Sequence, residues 1–458
     1  MARTRQMANA ESKQKSTVAA IPTANGKAHA ELSTIESNKM PQSPQAQKSL
    51  KSHTKRRKPR SALRRFKDTC LKHTWLLPLI ILIVLLSAYA VNPTESNPLH
   101  NAIFLSYAQE PKTPGGPVMY GKGPKDFAFV GFYTVVLSFT REFLMRCVIR
   151  PWGKYCGIKG KSKMARFMEQ VYTAIYFGIF GPYGLYVMKQ TDIWYFNTTA
   201  MFEGFPHREH MAIFKAYYLL QASYWAQQAI VLMLQLEKPR KDFKELVMHH
   251  IITLALIFLS YRFHFTYMGI AVYITHDVSD FFLATSKTLN YLDSSIIVPY
   301  YGLFVSVWIY LRHFINLKIL WACLTEFRTV GPYELNWETQ QYKCWISQII
   351  TFSLLASLQA VNLFWLYLIL RILANYIFNN VKKDERSDDE DEEMEDILHE
   401  EQTNGRAITT ATDVDKVLSA AKRNSAKENG KPPASINGGT TNGSVNGAGR
   451  KTRSSSKK

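Results

Sequence analysis

Residues 246–288 read LVMHHIITLALIFLSYRFHFTYMGIAVYITHDVSDFFLATSKT. The stretch contains two apolar runs, 246–262 and 266–288, which are separated only by residues 263–265. As a helix, each run is long enough to cross about 30 Å of hydrocarbon. Within lipid the backbone polar groups must be satisfied inside the segment, which a helix achieves. The stretch therefore predicts two short-linked, antiparallel membrane helices with a few polar side chains inside them.

Further apolar runs lie on both sides of this pair. They occupy about 75–91, 127–149, 167–188, 213–235, 297–323 and 347–378. Aromatic-rich runs of this length are typical of spanning helices rather than of a barrel of strands. The sequence therefore predicts an all-α, polytopic membrane protein with about seven to eight transmembrane helices.

The charge is distributed unevenly along the chain. The formal net charge is +20, yet residues 1–74 alone contain 17 Lys and Arg against 4 Asp and Glu. We predict a disordered, basic, cytosolic tail at 1–74, a first transmembrane anchor at 75–91, a membrane domain at 127–378, and a disordered cytosolic tail with an acidic run at 379–458. This division excludes a compact soluble domain, and we expect no nucleic-acid partner. The 5 cysteines have neither metal-ligand spacing nor the pattern of a disulfide framework.

Basic residues in the loops indicate the orientation. The loops after the second and fourth runs carry Arg150, Lys154, Lys159, Lys161, Lys163 and Arg166, and Lys238, Arg240, Lys241 and Lys244. Positive loops face the cytosol, so we expect both termini there. The sequon at Asn197 then lies on the lumenal side, where it is a candidate for glycosylation. In the acidic run, Ser387 is either part of a solvated tail or a phosphorylation site for an acidophilic kinase.

Polar residues at membrane depth concentrate in the two quoted helices. They are His249, His250, Thr253, His276, Asp277 and Asp280. Inserting such a group at membrane depth costs roughly 2.5–3.5 kcal/mol, so each of these residues is expected to have a structural or functional role. His249 shares a helix face with Thr253, whereas His250 points about 100° away from His249 and has a different role. The topology predicts that the three histidines and two aspartates meet at one depth.

This cluster has two possible interpretations. In the first, it is an interhelical hydrogen-bond network that only holds the bundle together. The second is acyl chemistry, in which a carboxylate fixes a histidine tautomer while histidine acts as base or accepts the acyl group. We favour the second because so many ionisable groups fall within one hairpin. A di-iron site needs more histidine boxes than His207/His210 and His249/His250 supply, so we expect no metal.

The segment 235–293, with HHxxT and HDxxD at this separation, resembles the Lag1 motif of ceramide synthases within the TRAM–LAG–CLN8 (TLC) domain. WIYLRHFINLKILW (308–321), ETQQYKCWISQ (338–348) and LFWLYLILRIL (363–373) are similar to the fungal branch of that family. The resemblance covers roughly 130–378. It implies a six-helix TLC-type bundle with extra spans, in the endoplasmic reticulum membrane.

The resemblance also implies the reaction. It is the transfer of a very-long-chain fatty acyl group from acyl-CoA to the amine of dihydrosphingosine or phytosphingosine, an acyltransferase reaction of the EC 2.3.1 class. No cofactor is expected, because acyl-CoA is a co-substrate. Beside the membrane lipids, the implied partners are a small single-span regulatory subunit and a homo- or heterodimer with a paralogue. Acyl-chain length and sphingoid-base preference stay open at this stage.

Within that reaction, we expect His249, His250, His276, Asp277 and Asp280 to be catalytic. The candidate substrate-binding residues are Thr253, Lys287, Arg240 and Lys241. The basic residues either bind the CoA phosphates or only determine topology. The acyl chain requires a membrane-embedded cavity, for which Phe281, Phe282 and Tyr218 are examples of lining residues, and the sequence alone does not assign them. Whether Cys323 and Cys344 form a bond is left open.

Two rival functions belong to other classes. One is a non-enzymatic TLC-domain protein that acts in translocation or lipid sensing, and the polar cluster argues against it. The other is a transporter, since ionisable groups near the midplane can relay protons. No internal inverted repeat supports that alternative.

Overall fold

The computed structural model describes residues 69–70, 73–237 and 241–379. The chain divides into two units, Met1–Arg60 and Ser61–Lys458, and all described residues belong to the second. The predicted disordered tails fall largely outside the described residues, as do Arg240 and Ser387. The domain boundaries given above remain predictions.

Helices account for most of the described chain. In chain order they are α1 Leu76–Val91, α2 His100–Ile103, α3 Asp126–Phe143, α4 Arg150–Tyr155, α5 Lys161–Lys189, α6 Ala212–Met233, α7 Phe243–Arg262, α8 Thr266–Tyr291, α9 Ile297–Ile309, α10 Asn316–Thr329 and α11 Trp345–Asn379. A π-helical turn, Leu144–Ile149, joins α3 to α4, and a second, Tyr310–Ile315, joins α9 to α10. Each joined pair forms one continuous helical segment.

Every predicted apolar run is helical, and the all-α polytopic prediction is confirmed. In the described part of the chain, five segments are long and apolar enough to cross a membrane: Asp126–Tyr155, Lys161–Lys189, Phe243–Arg262, Ile297–Thr329 and Trp345–Phe378. The helix Leu76–Val91 is apolar but shorter. The helices α6 and α8 have 22 and 26 residues, and both carry several buried polar side chains.

A small sheet covers the end of the bundle opposite the basic loops. Its three antiparallel strands are β1 Ala108–Gln109, β2 Met119–Tyr120 and β3 His210–Met211, in the order β1-β2-β3. The sequence did not predict it, because two-residue strands show no periodicity. The fully buried Lys215 ammonium joins this region to the bundle, since it donates to the carbonyls of Ser106 and Gly121 and pairs with Asp126 at 2.7 Å.

The helices α5 and α8 pack most extensively against each other. Gly184 of α5 allows a close approach, since a Cβ atom there would lie 2.5 Å from the Tyr217 hydroxyl and 3.0 Å from Ile274. Nearly two turns earlier in α5, a Cβ atom at Gly178 would lie 3.2 Å from the ring of Phe281. Small residues at a helix interface let two backbones approach closely in a membrane. This packing fixes the position of α8, which carries half of the polar cluster.

Candidate active site

His249 lies near the start of α7 and is only 4% exposed. The rings of Trp365, Trp225 and His276 surround it at centroid distances of 5.1, 5.6 and 6.4 Å. Its Nε2 lies 3.5 Å from the Thr253 hydroxyl, and its Nδ1 has no hydrogen-bond partner among the described residues. The His249 imidazole therefore has one long hydrogen-bond contact and is surrounded by aromatic rings.

His276 of α8 is held more tightly. Its Nδ1 lies 2.8 Å from the carbonyl oxygen of Val272, and its Nε2 lies 3.3 Å from the amide nitrogen of Asn362. A carbonyl only accepts, so the proton is on Nδ1 and Nε2 accepts from Asn362. His276 is thus fixed as one neutral tautomer with both ring nitrogens occupied.

His250 points in a different direction from His249. The two ring centroids are 5.9 Å apart with an interplanar angle of 87°. The Nδ1 of His250 lies 2.8 Å from the carbonyl oxygen of Leu246, so its proton is on Nδ1 and the lone pair is on Nε2. Consecutive positions of a helix differ by about 100°, which separates the surroundings of the two histidines.

Neither Asp277 nor Asp280 hydrogen-bonds to His249, His250 or His276, which corrects the expected histidine–carboxylate pairing. Asp277 is fully buried and accepts hydrogen bonds from the Tyr217 hydroxyl at 2.8 Å and from the Gln221 amide. Asp280 pairs with Arg312 at 2.6 Å. Among the described residues, helix carbonyls and Asn362 fix the histidine tautomers instead. The reason is helix geometry, since Asp277 and Asp280 face α6 and the π-helical turn after α9.

Arg312 was missed by the sequence reasoning, although it lies within a predicted apolar run. It is 1% exposed, and its Nε donates to the Ser279 hydroxyl at 2.6 Å. Its Nη1 donates to the Asn362 carbonyl oxygen at 3.2 Å, and the guanidinium lies 4.0 Å from the centre of the Trp308 ring. The same membrane-depth cost that singled out the histidines also applies to this charge.

An apolar cavity of about 230 Å³, here the acyl cavity, begins at His249 and His276. It runs between α7, α8 and α11 to the segment 335–344 at the opposite end of the bundle. Two of its lining residues, His249 and Phe263, are separated by about 21 Å of helix rise. Other lining residues include Tyr218, Trp225, Thr253, Leu256, Val272, Trp337, Tyr342, Cys344 and Leu358. Its shape and lining suit an extended hydrocarbon chain that ends at a buried histidine.

Comparison with known proteins identifies the family of the chain. Residues 166–371 match the TLC domain family. Ceramide synthase LAG1 of Saccharomyces cerevisiae is 53% identical over 330 residues, which are 72% of this chain and 79% of that protein. Sphingosine N-acyltransferase lac1 of Schizosaccharomyces pombe is 53% identical over 324 residues, which are 70% and 83%. Sphingosine N-acyltransferase-like protein FUM17 of Gibberella moniliformis is 53% identical over 329 residues, which are 71% and 85%.

The chain belongs to the ceramide synthase family. The resemblance to ceramide synthases is therefore confirmed, and the protein is a multi-pass membrane protein of that family.

Not all expected lining residues of this ceramide synthase reach the acyl cavity. Tyr218 lines it, but Phe281 and Phe282 do not. Phe281 packs against Gly178, and the ring of Phe282 lies 5.9 Å from that of Tyr300. Both lie on other faces of α8, so this part of the prediction is wrong.

The expected substrate-binding residues are spread over three places. Thr253 lines the acyl cavity, Lys241 is exposed just before α7, and Lys287 is half-buried near the end of α8. The structure does not bring the two lysines into the cavity lining described above. Arg166 of the first basic loop is buried and lies 3.7 Å from Glu169. The role of the basic loops in CoA binding remains a prediction.

The remaining expectations concern metal, thiols and modification. No group of three or more His, Cys, Asp or Glu side chains suited to a metal ion occurs in the described ranges. The absence of a metal cofactor remains a prediction. Cys323 and Cys344, whose pairing was open, are both free thiols. Asn197 is exposed, and its sequon residue Thr199 donates to Glu326 at 2.9 Å. Glycosylation and phosphorylation remain predictions.

Proposed function

We propose that this protein is a ceramide synthase, which transfers a fatty acyl group from acyl-CoA to the amine of a sphingoid base. The observation that carries the proposal is His249, a buried histidine with a free ring nitrogen at the polar end of the acyl cavity. The names of the fungal relatives, ceramide synthase and sphingosine N-acyltransferase, support the same reaction.

In the first half-reaction, a ring nitrogen of His249 attacks the thioester carbonyl carbon. The C–S bond breaks, and the proton of the other ring nitrogen leaves with the CoA thiolate as the free thiol. The sphingoid amine then attacks the acyl carbon, the bond to His249 breaks, and the imidazole recovers a proton from the amine. In the alternative route, His249 is the base for direct attack of the amine on the thioester.

His276, Asp277 and Asp280 position this chemistry rather than perform it. Asn362 holds His276 beside His249, and Asp277 and Asp280 anchor α8 to its neighbours through Tyr217 and Arg312. Thr253 lies within reach of the His249 ring. Lys241, which is exposed just before α7, attracts the CoA phosphates, with Lys287 of α8 as a further candidate. Arg240, which lies outside the described residues, is a candidate from the sequence alone.

The decisive experiment replaces the two histidines separately. His249→Ala and His250→Ala should each abolish ceramide formation in microsomes while membrane insertion is retained. His100→Ala, which alters a histidine outside the cluster, is the matched control and should stay active. Full activity of both single variants would overturn the catalytic assignment. An acyl adduct detected by intact mass after acyl-CoA alone would distinguish the covalent route from direct attack.

The finer assignments are proposals of the same kind. The donor is a very-long-chain acyl-CoA, and the acceptor is dihydrosphingosine or phytosphingosine. A single-span regulatory subunit and a dimer with a paralogue are expected from the family resemblance. A panel of acyl-CoAs and sphingoid bases in recombinant microsomes tests the substrate preferences.

The family resemblance implies the endoplasmic reticulum membrane, and the basic loops support an orientation with both termini in the cytosol. Asn197 then faces the lumen. We expect removal of N-linked glycans to increase the electrophoretic mobility of the natural chain but not that of Asn197→Gln. A natural chain whose mobility does not change would argue against a glycosylated lumenal loop.

A further inference from the structure

A second cavity of about 140 Å³, here the polar cavity, lies on the other side of α7 from the acyl cavity. It is framed by α3, α5, α6 and α7, at the ends near the basic loops. The residues that matter for its chemistry are Arg141, Glu169, Tyr172, Gln228, Glu237 and His250. His249 lines one cavity and His250 lines the other, so this turn of α7 separates two sites of different polarity.

The charged side chains of the polar cavity favour a cation. The buried Arg141 guanidinium pairs with Glu142 at 2.5 Å and with Glu237. Glu169 is the second carboxylate in the lining, and its Oε2 lies 3.7 Å from Nη1 of Arg166, which is not a lining residue. The lining itself therefore carries one positive and two negative charges. Such a surface attracts an ammonium group and repels a phosphate, so it does not suit the head of CoA.

Two further groups in the polar cavity, the Tyr172 hydroxyl and Nε2 of His250, are suited to bind a ligand. Tyr172 is 3% exposed, and its hydroxyl has no hydrogen-bond partner among the described residues. Leaving such a buried hydroxyl unpaired costs about 1–3 kcal/mol. His250 has its Nδ1 proton committed to Leu246, which leaves the Nε2 lone pair as a proton acceptor. The cavity thus offers carboxylates, a free hydroxyl and a base.

We propose that the polar cavity binds the head of the acceptor, a long-chain amino alcohol, and that His250 takes its proton. This inference rests on the proposed function. The ammonium is held by the carboxylates of Glu169 and Glu237, and a hydroxyl of the ligand pairs with Tyr172. The ammonium gives one proton to Nε2 of His250 and becomes the neutral amine that forms the amide bond. Trp225 lies 5.6 and 5.8 Å from the His249 and His250 rings, so this side chain is next to both histidines.

The test is steady-state kinetics of the full-length protein with dihydrosphingosine as the varied substrate. Tyr172→Phe removes only the unpaired hydroxyl, and Glu169→Gln removes only a charge. Each should raise the KM for dihydrosphingosine about tenfold, which corresponds to 1.4 kcal/mol, and leave the KM for acyl-CoA unchanged. Tyr195→Phe, which alters an exposed tyrosine in a loop outside both cavities, is the matched control and should change neither.

Octadecylamine separates the two contacts, because it has the ammonium but no hydroxyl groups. Its binding, measured directly, should weaken in Glu169→Gln and remain unchanged in Tyr172→Phe. Glu237→Gln replaces Glu169→Gln if that variant does not fold. An unchanged KM for dihydrosphingosine in the variants, or an equal rise in the KM for acyl-CoA, overturns the assignment. If the natural protein forms no amide, the proposed function fails, whereas the amine-binding measurement still decides the site.

Discussion

At the scale of single residues, Arg312 connects the elements around the histidines. It contacts Ser279 and Asp280 of α8 and reaches Asn362 of α11, whose amide in turn holds His276. A guanidinium suits this role because its donors lie in a fixed, planar arrangement. The orientation of His276 therefore depends on a charge that belongs to a different helical segment.

Replacing Arg312 tests this dependence. Arg312→Met leaves the Asp280 carboxylate without its partner, and breaking a buried pair typically costs about 3–5 kcal/mol. Arg312→Lys keeps the charge but loses the contacts to Ser279 and Asn362, so it should retain more stability than Arg312→Met while losing at least tenfold in activity. Thermal unfolding in detergent and amide formation measure the two effects. A methionine variant as stable as the natural protein would refute the argument.

Much of the site follows from the cost of polar groups in lipid, and part of it does not. That cost singled out His249, His250 and His276, and it applies equally to Arg312, Gln221 and Asn362. The expectation that such residues concentrate in two helices was therefore too narrow. The partners of Asp277 depend on which face of α6 packs against α8, and helix periodicity alone does not specify an interface between two helices that are hydrophobic on most sides.

At the scale of elements, the glycine contact between α5 and α8 also supports the site. A Cβ atom at Gly184 would collide with the hydroxyl of Tyr217, which donates to Asp277. The close packing of α5 and the position of Tyr217, which donates to Asp277, thus both depend on the absence of a side chain at Gly184. Substitution at this glycine changes both together.

Gly184→Ala should destabilise the protein by about 1–3 kcal/mol, because overpacking forces Tyr217 to move. Gly302→Ala is the matched control, since a Cβ atom there meets no heavy atom within 4 Å. Alanine is preferred over glycine in a helix by up to about 1 kcal/mol, so Gly302→Ala should be neutral or stabilising. Unfolding midpoints in detergent check the opposite signs. Equal effects of the two variants would contradict the packing argument.

The elements themselves were largely predictable. Long apolar runs specify membrane helices because no other backbone arrangement of that composition is satisfied in lipid. The run at 127–149 continues to Tyr155 through a π-helical turn, which apolarity does not indicate. The strands β1 to β3 were missed because contacts between distant residues, such as Met119 with Met211, determine them.

At the scale of the whole molecule, the end with the sheet carries groups whose protonation affects folding. His264 is buried between Lys122, whose Nζ lies 3.2 Å from its Nδ1, and Gln340. Burial, and then the charge of Lys122, lowers the pKa of His264 to about 3. Burial likewise lowers the pKa of His207 to about 4. Both imidazoles are therefore neutral in the folded protein.

This arrangement predicts loss of stability in acid. The pKa of His264 is lower folded than unfolded, so the unfolded chain binds more protons as the pH falls from about 6.5 to 3. At pH 5 the loss from His264 is about 2 kcal/mol relative to neutral pH. His264→Asn removes this contribution, so its unfolding midpoint should fall less between pH 7.5 and pH 5 than that of the natural protein. Parallel losses would show that His264 does not contribute.

The pairing of Arg312 with Asp280 also bears on how the protein is made. The segment that carries Arg312 follows α8 in the chain, so Asp280 is synthesised before its partner. An isolated arginine at mid-membrane disfavours insertion by roughly 2.5–3.5 kcal/mol. The pairing with Asp280 offsets part of this penalty. Asp280 thus precedes Arg312 in the chain and Asn362 follows both, so the carboxylate that pairs with the arginine is the first of these three contact partners to be synthesised.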